Sequence, residues 1–279
     1  MRIRCWGARG SIPVSGPDYI AYGGDTTCLE IRAASGDIII IDCGSGVRRL
    51  GNELLREKQH RLNILFTHVH WDHISGFPFF KPLYHRSTTI NIYGSDQARQ
   101  SIQSMLAQSM AAPFFPIALD SVSSCLSFTP LTGDEITIGS IRITPIPLNH
   151  PNGGFGFKLS ENGKVFVFLT DNELEFGHPG GLGYGEYLDF CRGADLLVHD
   201  AEFTDTEYVQ TRSWGHSRYL KALELAHDAG VSRFGLFHHN QERTDAALLD
   251  IVLDCQLMGK RAGIEMECFA MTQDTDITL

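Results

Sequence analysis

The stretch Thr67-His68-Val69-His70-Trp71-Asp72-His73 decides how this chain is read. It follows the apolar run Leu62–Phe66, whose length and composition mark a short buried strand. In an extended segment side chains alternate, so His68 and His70 point to one side. Bringing Asp72 and His73 round to them takes a turn, which Ser75-Gly76 allows. Two imidazoles on one side, with a carboxylate and a third imidazole on the next turn, are what a pair of adjacent metal ions would need. Imidazole and carboxylate donors suit zinc, and also iron or manganese.

The rest of the chain bounds the setting of that cluster. Its 279 residues suffice for one large domain with a full core, and no linker, repeat or low-complexity segment divides it, so a single domain over 1–279 is expected. With 43% hydrophobic and 20% charged residues the composition is that of a soluble globular protein. No run approaches the roughly 18 apolar residues of a membrane span, and the opening Met1–Gly7 has no continuous apolar stretch, so neither a membrane partner nor a signal peptide is expected. Seven cysteines without a C-x-x-C pair read as mostly buried thiols of a reducing compartment, which makes the cytoplasm the expected location. A net charge of −10 argues against long nucleic acid, whose binding usually calls for a basic surface. It leaves room for a small phosphorylated ligand, because a local cation can invert the field inside one pocket. A homodimer is compatible with all of this.

Strand-like runs are Arg2–Trp6, Thr27–Arg32, Ile38–Ile41, Leu62–Phe66, Thr88–Tyr93, Ile141–Ile146, Gly156–Leu159, Val165–Leu169, Leu196–Val198, Phe234–Phe237 and Ile264–Phe269. Helical spacing covers Gly46–Glu57, Gly183–Cys191, Arg218–Ala229 and Thr244–Leu257, and a further helix is expected to open at Ser95 as N-cap and run to about Met110. Mixed strands and helices in two similar halves predict a layered α/β architecture.

The phrase His68-x-His70-x-Asp72-His73 after an apolar strand resembles the signature of the metallo-β-lactamase superfamily. Ile39–Asp42 with Cys43-Gly44 is similar to the strand-Asp-x-Gly element that precedes it there. The resemblance runs from about residue 1 to 240. It implies a four-layer αββα sandwich with the metal site at one edge of the two sheets. It also implies a ligand set: His68, His70 and His150 for one divalent ion, and Asp72, His73, the bridging Asp171 and a late histidine for a second. For the last position His238 and His239 stand side by side, and the family's strand-x-His phrase favours His238. Asp42 is a candidate to hold a ligand imidazole from behind.

Within the superfamily, a carboxylate in place of His70 would mark the di-iron oxygen reductases, and a cysteine in place of Asp171 the best-known zinc β-lactamases. This chain has neither. Trp214-Gly215-His216-Ser217, downstream of Val198-His199-Asp200-Ala201-Glu202, resembles the phosphodiesterase branch, which includes tRNA 3′-end processing endonucleases and cyclic-nucleotide phosphodiesterases. There a histidine that is not a ligand, here His216, lies beside the phosphate and an acidic residue, here Asp200, orients it. A histidinium held by a carboxylate can protonate a leaving alkoxide. The resemblance therefore implies a metal-dependent hydrolase, a phosphodiesterase for a small phosphodiester such as a cyclic nucleotide. A hydroxide bridging two metal ions would attack, and Asp72 would hold or accept its proton. The rivals are a thioester or lactone hydrolase of the same fold, with little use for His216, and a metal-binding regulatory domain without turnover. No basic arm for gripping tRNA is visible. Ala111-Ala112-Pro113-Phe114-Phe115-Pro116 reads either as a loop over a small substrate or as packing on the core. Outside the ligand set His199 reads as a core or supporting residue, and His60, His85, His178 and His227 as surface residues.

Overall fold

The structure, a computed structural model, describes residues 1–96, 100–263 and 265–279. Strands β1 (Arg2–Gly7), β2 (Cys28–Arg32), β3 (Ile38–Ile41), β4 (Arg61–Leu65), β5 (Thr89–Gly94) and β6 (Cys125–Pro130) form one sheet, and β7 (Ile136–Ile138), β8 (Ile141–Pro147), β9 (Phe155–Glu161), β10 (Lys164–Leu169), β11 (Leu196–Asp200), β12 (Arg233–Phe237) and β13 (Glu267–Ala270) a second. The last strand, β14 (Asp276–Thr278), returns to the first sheet beside β1. From β3 to β6 and from β10 to β13 the strands run parallel, so their carboxyl ends reach a common edge within each sheet.

Burial on both faces explains why a central strand such as β3 is a continuous apolar run. All four residues of β3 are buried. Ile39 and Ile41 meet Phe157, Leu159, Phe166 and Phe168 between the sheets. Ile38 and Ile40 face the other way, against Val47, Leu50 and Leu54 of α1 (Val47–Arg56). The second sheet divides in the same fashion: Phe166 and Phe168 of β10 point inward. Val167 and Leu169 pack with Tyr187 of α4 (Tyr184–Cys191), Leu225 of α6 (Tyr219–Asp228) and Val252 of α7 (Asp245–Ala262). Helix, sheet, sheet, helix is the four-layer sandwich that the resemblance implied.

Three short helices complete the set: α2 (Trp71–Ile74), α3 (Ile102–Ser109) and α5 (Asp205–Thr211). Of the helix expected from Ser95 to about Met110, the described residues show α3 from Ile102. Its cap is Ser101, whose hydroxyl accepts the Ser104 amide, and residues 97–99 of that expectation lie outside the described set. The strand expected at Ile264–Phe269 is β13, starting at Glu267, and Ile264 lies outside the described residues. Helix α7 runs beyond Leu257 to Ala262, where Gly263 in the left-handed conformation ends it. All seven cysteines are free and only Cys125 is exposed. Among the described residues no helix is long and apolar enough to cross a membrane.

Replacing Leu50, fully buried between α1 and the first sheet, with Ala is expected to cost about 2–5 kcal/mol of unfolding free energy in a urea titration. Leu253→Ala, on the solvent side of α7 and 52% exposed, is expected to stay within about 0.5 kcal/mol of the parent. Equal losses would contradict the layer assignment.

Candidate metal centre

The carboxyl ends of β4, β8, β10, β11 and β12 converge, and each delivers part of one cluster. His68 and His70 leave β4 in extended chain, and α2 then turns Asp72 and His73 back beneath them. His150 follows β8, Asp171 follows β10, Asp200 ends β11 and His238 follows β12. Asp42, Asp171 and His238 all adopt left-handed backbone, with φ of 61°, 49° and 57°. Non-glycine residues rarely do so, and such outliers cluster at sites that over-determine them. Here the sharp turn lets the residue after each strand point back across the sheet edge.

Asp171 is the hub. Its Oδ2 lies 3.5 Å from His68 Nε2, 3.8 Å from His150 Nε2 and 3.3 Å from His238 Nε2, and its Oδ1 lies 3.2 Å from His73 Nε2. Asp72 Oδ2 is 3.3 Å from His73 Nε2 and 3.0 Å from His238 Nε2. His150 Nε2 faces His70 Nδ1 at 3.0 Å. Two donor groups result, His68, His70, His150 with Asp171, and Asp72, His73, His238 with Asp171, and within each group the donor atoms lie within 4.8 Å of one another. The structure thus brings together every residue of the ligand set read from the sequence. His239 lies elsewhere, its Nε2 donating to the Met271 carbonyl at 2.7 Å.

The far nitrogens of these rings are held by groups the sequence did not single out, apart from Asp42. His73 Nδ1 donates to Asp42 Oδ2 at 2.8 Å, and Asp42 also accepts the Thr67 amide at 2.8 Å and hydroxyl at 2.7 Å. His150 Nδ1 donates to the Gly215 carbonyl at 2.9 Å, and His238 Nδ1 to Glu202 Oε2 at 2.9 Å. Each bond fixes a tautomer that leaves Nε2 free for the centre, the arrangement that orients metal-bound imidazoles. Close packing enforces it: a Cβ on Gly10 would fall 2.2 Å from the His238 ring, and one on Gly215 2.0 Å from His150 Nδ1.

His68 Nε2 and His73 Nε2 are buried without a hydrogen-bond partner. Buried polar atoms are normally satisfied, so two orphans aimed at a carboxylate-lined point call for a cation. Burial drives the His68 imidazole well below its ordinary range, and lowers His150 to about 3, which keeps both in the neutral form that ligates. Burial also works against charge on His73 and His238, yet the surrounding carboxylates outweigh it and raise both. The residues fit a pair of divalent ions.

Beside the second group His216 donates from Nδ1 to Asp200 Oδ2 at 2.8 Å and lies 3.4 Å from Glu202 Oε2. Its ring stacks on His238 with centroids 4.5 Å apart. Burial pulls its pKa down, but Glu202 and Asp200 prevail and raise it to about 9. Glu173, fully buried, fixes the segment that carries it by accepting the Tyr208 hydroxyl at 2.6 Å and the Ser213 and Gly215 amides at 2.8 Å each. His178 also bonds Glu173, at 2.8 Å; it is half-buried there, and not a surface residue as its sequence setting suggested. His199 is a core residue between the Asp200 carbonyl and Asn172. His60 and His85 stack on one another, the first half-buried and the second exposed, and His227 is exposed. In the loop Ala111–Pro116, Phe115 packs edge-on against Phe79, while Phe114 is exposed.

Fold and donor groups together define a metal-dependent hydrolase of the metallo-β-lactamase fold. The chain belongs to the beta-lactamase superfamily, whose domain profile matches residues 38–239. It is 24% identical to a ribonuclease Z of Haloarcula marismortui over 85% of this chain and 86% of that protein. The crystal structure of human tRNase Z, short form, superposes with a TM-score of 0.67 at 18% identity, covering 100% of this chain and 99% of that one. A diphosphatase of the PhnP family superposes with a TM-score of 0.68 at 14% identity, over 100% and 97% of the two chains.

Protein loaded with zinc and then desalted is expected to hold close to two equivalents per chain by elemental analysis. Asp171→Ala, which removes the carboxylate shared by both groups, is expected to hold fewer than one. A stoichiometry of one in the parent, with Asp72 and His73 free of metal, would refute the paired site.

Proposed function

We propose that the chain is a two-metal phosphodiesterase acting on small phosphodiesters, a cyclic nucleotide being one such substrate. The observation that carries the reading is the His216–Asp200 pair, held at 2.8 Å beside the second donor group. Its Nδ1 is committed to the carboxylate, which leaves Nε2 to serve the substrate. Divalent ions at the two groups, zinc by the donor chemistry with manganese or iron as substitutes, would polarise the phosphoryl oxygens and yield a nucleophile from water near neutral pH. His68, His70, His150, Asp72, His73, Asp171 and His238 would hold them. Asp72 Oδ2, which also accepts the Ser11 amide at 2.9 Å, would take the proton of the attacking water. His216 Nε2 gives a proton to the departing alkoxide, and Asp200 keeps that ring in position. A carbonyl hydrolase would have little need of this pair. The ribonuclease Z relative supports a phosphodiester as the bond cut, and the net charge of −10 favours a nucleotide-sized substrate over a long polyanion. Free, mostly buried thiols accord with a reducing cytoplasm.

His216→Ala is expected to keep both metals and its fold. On a diester with a poor alkoxide leaving group it should lose on the order of 10²–10⁴-fold in kcat, and much less on a nitrophenyl diester, whose leaving group departs unprotonated. Equal losses on both would make His216 a phosphate contact only. No loss on either would turn the reading toward a thioester or lactone hydrolase.

A further inference from the structure

A cleft opens beside His216, and none of His68, His70, His150 or Asp171 lines it. Trp214, Gln241, Gln210, Ser11 and Phe203 line it together with His216, and Glu202 and Glu207 contribute carboxylates. Trp214 is 62% exposed although it stands next to the buried, closely packed Gly215, and its amide donates to the Thr211 carbonyl at 3.0 Å. A large indole held out on a fixed turn has no packing role to explain it. Phe203 meets the His216 ring edge-on, with centroids 5.9 Å apart.

The polar groups of the cleft are largely spent on one another. Glu202 takes His238 Nδ1 and, at 2.8 Å, Asn240 Nδ2. Glu207 takes Arg243 Nη2 at 2.6 Å and the Thr204 hydroxyl and amide. Gln241 Oε1 is the exception: it is buried and has no hydrogen-bond partner. Among the described residues no lysine or arginine lines the cleft. Two carboxylates without a free cation disfavour a second phosphate. An indole face offers stacking to any planar ring, and the unfilled amide oxygen of Gln241, turned out from its buried position, would take an N–H donor in the cleft. A flat, uncharged heterocycle carrying N–H groups meets all three conditions.

We propose that this cleft is the subsite for a nucleobase, stacked on Trp214 and hydrogen-bonded to Gln241, and that it holds the leaving nucleoside of the substrate. Only the word "leaving" rests on the phosphodiesterase reading, since His216 forms one wall and serves the departing oxygen. Base–aromatic stacking contributes about 1–3 kcal/mol by alanine substitution, roughly 5- to 150-fold in affinity.

Isothermal titration of the metal-loaded protein with each of the four ribonucleosides, and with ribose as the base-free control, tests the subsite without turnover. At least one nucleoside should bind, ribose should not, Trp214→Ala should weaken the nucleoside about tenfold or more, and Trp214→Phe should recover most of the loss. Gln241→Ala should weaken it as well. Correspondingly, the ratio of kcat/KM for a nucleoside-bearing diester to that for a methyl nitrophenyl diester should fall about tenfold in Trp214→Ala, through KM. If no nucleoside binds, or if Trp214→Ala binds as the parent does, the subsite is wrong whether or not diesters are cleaved. If nucleosides bind through Trp214 but no diester is hydrolysed, the subsite stands and the proposed reaction falls.

Discussion

Four imidazoles surround the carboxylate of Asp171, at 3.2–3.8 Å, and all five side chains are buried. Burying charge and unpaired nitrogen so densely is costly unless the groups are paired or bound to metal. The two sheets exist in this chain in a form that permits it. Parallel strands end at one level, the inter-sheet core of Ile39, Ile41, Phe157, Phe166 and Phe168 closes the site from below, and loops from both halves close it from the sides. His68 and His73 come from the first sheet, and His150, Asp171 and His238 from the second. A shift of one sheet against the other would pull the hub apart, so the packing of the aromatic core and the geometry of the site are one constraint.

Rigidity then comes from a layer of partners behind the donor atoms. The opening loop shows how far that layer extends. Arg9, fully buried, donates to the carbonyls of Gly23, Asn240 and Arg243 at 2.9, 3.1 and 2.7 Å. It thereby ties Trp6–Ser11 and the Gly23–Thr27 stretch to the segment after β12. The Ser11 amide is delivered to Asp72 as a result, with Ser11 itself in left-handed backbone at φ 63°. These loops bear no ligand, yet they fix where Asp72 and His238 point.

What could be read in the sequence follows from how local each signal is. His68–His73 lies within six residues, and His150, Asp171 and His238 each follow an apolar strand, so pattern and order expose them. The roles of Glu202 and Glu173 escaped attention because a single buried carboxylate leaves no periodic trace, and partners such as Tyr208, Gly215 and His238 lie 35 to 42 residues away in the chain. The missed strands β6, β7 and β14 are all sheet edges with at most one buried residue each, whereas a central strand such as β3 is an unbroken apolar run. Helix α5 was legible and overlooked: Thr204-x-x-Glu207 is a reciprocal capping box. Among the described residues α3 is capped by Ser101, and Ile102 and Leu106, the two buried residues of that helix, tie it to the core beside the first sheet.

Asp200, Glu202, His216 and His238 form a third group whose donor atoms also lie within 4.8 Å of one another, and the hydrogen bonds explain why it is not a third metal site. His238 has two nitrogens, and Nε2 already faces Asp72 and Asp171 at 3.0 and 3.3 Å. A metal in the third group would need Nδ1 without its proton, but that proton is what binds Glu202 and sets the tautomer for the centre. His216 Nδ1 is committed to Asp200 in the same manner. The third group is therefore a proton-bearing layer: two carboxylates hold two stacked imidazoles, one turned toward the metal centre and the other toward the cleft. Under the proposed function the edge of the second sheet would separate two tasks, ligation through His238 and proton delivery through His216, across a ring spacing of 4.5 Å.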